Sequence, residues 1–363
     1  MTKHPGIRLR SLRESAPVAS LLVCGCVLAA LFLFAAGSAL AEPAARAARA
    51  PRFAWKFGTL APDGVGYSNQ INSYVLPLVN TVSKGEVKVK VYWGGAMGDD
   101  EDIIRKMRFG YLNGAGLSGQ GVTLLCPETS VLSLPFLFND YDEVDYVVSQ
   151  LGPRFQAYMD KSGVFLFSWL DQDFDQIYST RPLTRLSDFG KTRFLTWYGT
   201  LEEEVLKALG TKVVPVSGTL IAPAIKQGMA DAAISPAIFI VGSQIFTEIK
   251  YVNTMKIRYS PAMVVVRSED WQSLPAEYVK KYHELHAGVR DRMVKEARRN
   301  NKRFLAAITR YGVTETHMTD KDLDEVKRTL IPLWRRLAGR LYPADLLEEL
   351  LADLSRYRAS KQR

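Results

Sequence analysis

Histidine and cysteine are scarce in this sequence, at four and three of 363 residues. Histidine is the usual base near neutral pH and the commonest metal ligand, so its scarcity narrows the catalytic options. His283 and His286 enclose Glu284 in the run HELH. That is one residue short of H-E-x-x-H, so the ligand and base roles of that motif do not transfer, and the pair reads as surface histidine. No G-x-S-x-G elbow and no phosphate-binding loop of the G-x-x-x-x-G-K-[ST] type occurs. Two of the cysteines, Cys24 and Cys26, fall in an N-terminal apolar stretch, and Cys126 sits in TLLCPE, an apolar setting that suits a structural thiol rather than a nucleophile. Low-complexity tracts, internal repeats and blocks of like charge are absent as well. The sequence therefore offers no catalytic constellation, no metal site and no cofactor site.

The N-terminus carries a clear signal. Lys3, Arg8, Arg10 and Arg13 stand against a single acid, Glu14, and residues 16–41 (APVASLLVCGCVLAALFLFAAGSALA) carry no charge. A basic flank, an apolar run and the small-residue exit Ala39-Leu40-Ala41 make a Sec-type secretory signal with cleavage before Glu42. The apolar stretch is also long enough to span a membrane, so an uncleaved anchor is the alternative. Cleavage leaves Cys126 as the single cysteine, so no intrachain disulfide forms and the fold stands on packing. The net charge of +9 stays positive without the leader. Export to the periplasm makes nucleic acid an unsuitable partner, while a positive field suits anions.

Beyond the leader, Pro/Gly punctuation separates short β-prone runs from helical patterns, which indicates an α/β fold. Strands are expected at 53–57, 87–92, 164–169, 193–197, 212–216, 232–235 and 262–267. Asp99 and Asp100 are placed to cap a helix whose buried face carries Ile103, Ile104, Met107 and Tyr111. The run NGAGLSGQG (113–121) reads as a glycine-rich loop able to approach a ligand. Thr200 and Glu203 have capping-box spacing. The strand–helix rhythm of 178–257 predicts a second parallel sheet, and the chain beyond Pro275 reads as helices, with the basic run Arg290–Arg303 on a solvated face. The expected organisation is a leader at 1–41, one α/β domain at 52–176 plus 262–275, a second at 177–261, and C-terminal helices at 276–360 packing across both.

Ligands of open α/β sheets bind outside the carboxyl ends of strands. The candidates on that rule are Tyr67, Ser118, Gln120, Trp169, Asp171, Gln172, Trp197, Tyr198 and Ser235, facing each other across an interdomain cleft. Tryptophan and tyrosine there would supply rigid apolar contact with a polar handle.

Six stretches in order, FGTLAPDG, VYWGGAMGDDEDIIRKMRFG, LSLPFLFNDYDEV, KALGTKVVPVSG, AIKQGMADAAISP and RYSPAMVVVRSEDWQSLPAE, give the chain its family likeness. From about Phe53 to Thr309 it resembles the solute receptors of tripartite ATP-independent periplasmic (TRAP) transporters. The resemblance implies a type II periplasmic binding protein fold with two α/β domains hinged around a cleft. It implies no catalysis, a small organic solute, and delivery to a permease of a small and a large membrane subunit driven by an ion gradient. A monomer is expected. The family's site segments fall on Ala61–Tyr67, Pro135-Phe136, Leu170–Phe174 and Ser235-Pro236, which adds Phe136 to the candidates. One departure concerns the family's carboxylate-clamping arginine. Leu195 aligns with it, with Trp197 and Tyr198 just beyond, and Arg193 fits only with a register shift of two. A second basic position of the family is Asp175 here. The ligand expected is an organic acid bulkier or more apolar than a C4-dicarboxylate. A periplasmic sensor, or an exported enzyme of unknown reaction, is the alternative reading.

Overall fold

The structure, a computed structural model, describes residues 51–197 and 199–362. The leader and its cleavage site, like Tyr198, lie outside the described residues. The strands are β1 (Phe53–Thr59), β2 (Val87–Tyr92), β3 (Gly114–Leu117), β4 (Val164–Ser179), β5 (Arg193–Thr196), β6 (Lys212–Pro215), β7 (Ala232–Ser235), β8 (Tyr251–Arg267) and β9 (Thr314–Thr316). They form one sheet in the order β2-β1-β3-β8-β4-β7-β5-β6, with β9 against β8. Each end is a parallel triplet, β2-β1-β3 and β7-β5-β6, as helical crossovers require. The long antiparallel pair β4–β8 runs between them and joins both.

This corrects the expectation of a separate second sheet. The parallel triplet is present, but β4 does not stop at Trp169; it continues through LDQDFDQ to Ser179, and β8 begins at Tyr251 rather than Ala262. The β4–β8 register shifts between Asp171 and Asp173 and again between Asp175 and Ile177. Such bulges bend and twist a strand pair, and they lie where the chain passes from one triplet to the other.

Helices cover the sheet: α1 (residues 67–82, with a π-turn at Ile71–Val75), α2 (Asp100–Arg108), α3 (Gly119–Leu125), α4 (Tyr141–Lys161), α5 (Thr200–Ala208), α6 (Ala237–Gly242), α7 (Ala276–Tyr311), α8 (Asp320–Leu330) and α9 (Ala344–Lys361). Asp99 caps α2 by accepting from the Asp102 N–H at 3.1 Å, and Ile103, Ile104 and Met107 are buried beneath it. Tyr111 is not on that face: it follows the helix end and is 71% exposed. The capping box at Thr200 does not form either. Gly199, at φ 80°, is the N-cap, so Thr200 is already helical. Nor is 113–121 a loop, because it supplies β3 and the start of α3. A Cβ at Gly114 would meet the Phe57 ring and the Val265 carbonyl at 2.5 Å, and one at Gly121 would meet the Asp100 carboxylate at 2.6 Å. Gly114, Gly116 and Gly119 have the spacing G-x-G-x-x-G, but the first two lie inside the strand rather than in the turn after it, so no dinucleotide cradle results.

Three apolar cores follow from this layout. Trp55, Phe57, Leu78 and Trp271 belong to one, with Met293 of α7. Leu195, Trp197, Ile221 and Ile240 belong to another, with Ile308 of the same helix. The third, built on α4, Val265 and Phe194, is sealed by α8 and α9 through Val326, Leu330, Leu346 and Leu350. Among the described residues no helix is long and apolar enough to cross a membrane.

Candidate functional site

The carboxyl ends of β1 and β3 face α6, which follows β7, across a cleft. Thr59–Pro62, Val65, Tyr67, Gly116–Ser118, Leu170, Gln172 and Ala262 line one side, and Ile238, Phe239 and Gly242 the other. Gly66 precedes α1 at φ 56°, and a Cβ there would meet Ile238 Cδ1 at 2.5 Å, so the two walls approach closely at this point. Ser217 Oγ donates to the Asp99 carboxylate at 2.7 Å, a further bond from one half of the sheet to the other.

Three of the residues expected from sequence, Tyr67, Ser118 and Gln172, line this cleft. Tyr67 donates its hydroxyl to the Asp171 carbonyl. Ser118 donates to the buried Asp100 carboxylate and caps α3. Gln172 Oε1 accepts from the Gly119 N–H at 2.9 Å and from Ser260 Oγ at 3.2 Å, while its carbonyl accepts from Asn301 of α7 at 3.0 Å. Trp197 stacks on Phe239 with centroids 4.9 Å apart, so it backs the wall rather than facing the opening. Ser235 ends β7 with a buried hydroxyl that has no partner among the described residues, and the same holds for the buried side-chain oxygen of Gln120, in the first turn of α3.

The remaining expectations land elsewhere. Phe136 adopts φ 58° beside the Ile257 carbonyl, with Lys327 5.9 Å from its ring centroid. Trp169 packs on Phe155 and donates to Tyr259 at 3.3 Å. Asp171 is buried under α7: it accepts from Tyr259 and from Arg298 Nε at 2.6 Å. Burial raises its pKa, and the Arg298 charge opposes that rise. Trp169 and Asp171 instead line a groove between α4 and α7. They were expected at a strand end, and β4 carries them past it. Arg298 also corrects the solvated-face reading of 290–303, for it turns inward and bridges Asp171 and Asp145.

Arg193 sits at the start of β5, the end away from Trp197, and its guanidinium is held by Asp231 at 2.8 and 3.0 Å. The arginine at the interior is Arg258, which sequence reasoning did not select. On β8 opposite Asp175, it bonds that carboxylate at 2.7 Å and Glu202 at 2.5 Å, with all three side chains buried. Burial pushes the Asp175 carboxyl up to about 7 against the Arg258 charge. The one clue in the sequence was an aspartate where a basic residue was due.

Neither histidine nor cysteine chemistry gathers here. Burial pushes the Cys126 thiol up, and His286 packs on Tyr282 with its pKa lowered to about 4 by burial, half-buried rather than on the surface. Among the described residues no group of His, Cys, Asp and Glu is placed to hold a metal ion.

The α/β sheet is continuous through two parallel triplets, with a cleft between their strand ends. The profile of the bacterial extracellular solute-binding protein family 7, DctP, matches residues 58–340, and the chain belongs to that family. It is a family of binding proteins, not of enzymes. The C4-dicarboxylate-binding periplasmic protein DctP of Rhodobacter capsulatus is 22% identical over 73% of this chain and 80% of its own. The sugar acid binding protein DctPAm of Advenella mimigardefordensis, solved with galactonate, superposes with a TM-score of 0.78 at 20% identity, over 84% of this chain and 98% of that one. DctP7 of Bordetella pertussis, a receptor binding pyroglutamic acid, gives 0.75 at 19% identity, over 83% and 99%. Both solved structures share this fold.

Proposed function

We propose that the protein is exported to the periplasm, captures a small organic acid in the cleft beside Tyr67, Ser118, Gln172 and Phe239, and delivers it to the small and large membrane subunits of a TRAP permease. The carrying observation is the cleft itself, whose lining is mostly apolar with a few fixed polar groups, as in small-molecule sites generally. The Trp197–Phe239 stack supports a ligand with an apolar or bulky body. Arg193 is engaged by Asp231, so a carboxylate clamp at that residue is not part of the proposal.

Thermal-shift screening of the purified protein against organic acids, followed by calorimetry, tests the reading. Stabilisation by at least one acid is expected, and a complete screen without a hit would sink it. The proposed leader is tested by intact mass: the periplasmic protein should begin at Glu42, and a mass that includes residues 16–41 would show an anchor instead.

A further inference from the structure

The amino-terminal parts of β1 and β2 carry a basic face away from the cleft, which lies at the carboxyl ends of the strands. The register pairs Lys56 with Lys90 and Ala54 with Lys88, and paired residues of neighbouring parallel strands point to the same side of a sheet. Lys56, Lys88 and Lys90 therefore share one face. It is the face that α2 covers, because a Cβ at Gly58, two residues after Lys56, would meet Ile103 at 3.1 Å. The helix starts beyond the carboxyl end of β2 and returns the chain to the amino end of β3, so its last turn runs toward the lysines. The Asn113 N–H donates to the Lys56 carbonyl at 2.8 Å, which fixes the segment after α2 against β1.

That segment is Arg108-Phe109-Gly110-Tyr111. Phe109 is 72% exposed and Tyr111 71%, the two most exposed large apolar side chains among the described residues. Leu124 of α3, exposed as well, lines a shallow groove with Arg105 and Arg108, where Glu101 is the one acid of the lining. The side chains of Lys56, Lys88 and Arg108 have no hydrogen bond or ion pair among the described residues. Lys90 stands 4.8 Å from the centroid of the Tyr92 ring rather than on a carboxylate. The neighbouring acids Glu269 and Asp270 are already engaged by Arg267. Lysines on an edge strand such as β2 discourage strand-to-strand association. That accounts neither for Lys56, on the inner strand β1, nor for the two open aromatics.

We propose that this face is a peripheral membrane-binding surface. Lys56, Lys88, Lys90 and Arg108 are drawn to the anionic phospholipids of a bilayer, and Phe109 and Tyr111 seat among the headgroups, the depth that aromatic rings favour. An acidic protein segment would satisfy the cations but leave the exposed rings without a role. Contact at this face leaves the cleft, at the other ends of the same strands, open to solute.

Co-sedimentation of the mature protein with vesicles tests the proposal, using phosphatidylcholine alone and phosphatidylcholine mixed equally with phosphatidylglycerol. Binding to the mixed vesicles is expected to be at least about tenfold tighter, and added salt should weaken it. Lys56→Glu, Lys88→Glu and Lys90→Glu combined should lower the affinity at least about tenfold. Phe109→Ser with Tyr111→Ser should lower it at least about threefold. Lys212→Glu, Lys226→Glu and Lys250→Glu combined make the same charge change on exposed lysines around the other triplet, and should stay within about twofold of wild type. All eight side chains are exposed, and circular dichroism checks that the variants fold. Absent binding, equal affinity for the two vesicles, equal losses in the two lysine triples, or an aromatic pair that changes nothing overturns the proposal. So does a protein that ignores vesicles yet is retained on poly-L-glutamate, which would make the partner an acidic peptide.

Discussion

Trp197 and Arg193 stand on one short segment, yet their side chains have separate duties. Trp197 is buried against Phe239 at the cleft wall, whereas Arg193 closes a half-exposed bridge to Asp231. Trp197→Ala removes the ring that supports Phe239 at the cleft wall and is expected to weaken ligand binding by about tenfold or more. Arg193→Ala should change it by far less, and Trp197→Phe should fall between them. Calorimetry on the three variants checks this; abolished binding in Arg193→Ala alone would contradict the assignment. The buried acids set a second residue-scale expectation. Burial pushes Asp100 and Asp173 up to about 6 and Asp175 to about 7. A carboxyl with a raised pKa binds its proton more tightly in the folded chain. Its stabilising contribution is complete below its ordinary pKa of about 4 and is lost as pH rises through 6 and 7. His286, lowered to about 4, works the other way between about pH 6.5 and 4, one group against three. The thermal midpoint should therefore fall between about pH 4.5 and 7, and less steeply in Asp175→Asn. A midpoint that rises over that interval would refute the assignment. These acids are also where sequence reading stopped short. Ser118 was legible because it follows the end of β3, whereas Gln172 lines the cleft from inside β4, and Arg258 was not legible because the carboxylates it bonds lie 83 and 56 residues away along the chain.

At the scale of elements, α7 and β4 are fastened by side chains rather than by apolar packing alone. Tyr282 donates to the Phe167 carbonyl, Arg298 to Asp171, and Asn301 to the Gln172 carbonyl. Removing the guanidinium leaves Asp171 buried without its counter-charge, so Arg298→Ala should lower stability by about 3 kcal/mol. Asp145, the other partner of Arg298, is 56% exposed, and Asp145→Ala should cost no more than about 1 kcal/mol. Urea denaturation of both variants measures the difference, and equal losses would show that Asp171 is not the anchor. The same contacts explain why the extent of β4 was hidden. Strands such as Val87–Tyr92 and Ala232–Ser235 announce themselves by pattern. LDQDFDQ instead reads as a polar loop, because its aspartates alternate in a segment whose compensating charges come from α7 and β8. The cap at Asp99 was legible since capping is local, while the glycines of 113–121 were misread since their close neighbours, Phe57, Val265 and Asp100, come from other elements.

For the whole molecule, the bulged pair β4–β8 is the natural place for the two halves to swing, and the Asp99–Ser217 bond fastens them across the cleft. Closure on solute is expected to reduce the radius of gyration in small-angle scattering. A curve unchanged at saturating ligand would argue for a rigid cleft. Asp99→Ala should loosen the free protein toward the open form, visible as a larger radius without ligand. The shared pair also dictates when the molecule can assemble. β3 finds its inner neighbour only at Met263–Val266, and β4 lies between β7 and β8. A chain emerging amino-terminus first cannot complete the β2-β1-β3 half of the sheet until Val266 has appeared, nor the other half until β8 has begun at Tyr251. Until then β3 and β4 have edges without their partners, exposed to wrong pairing. The last-made helices then close over both halves. With the export proposed above, such an architecture postpones the compact state, since the strands that complete it are supplied late.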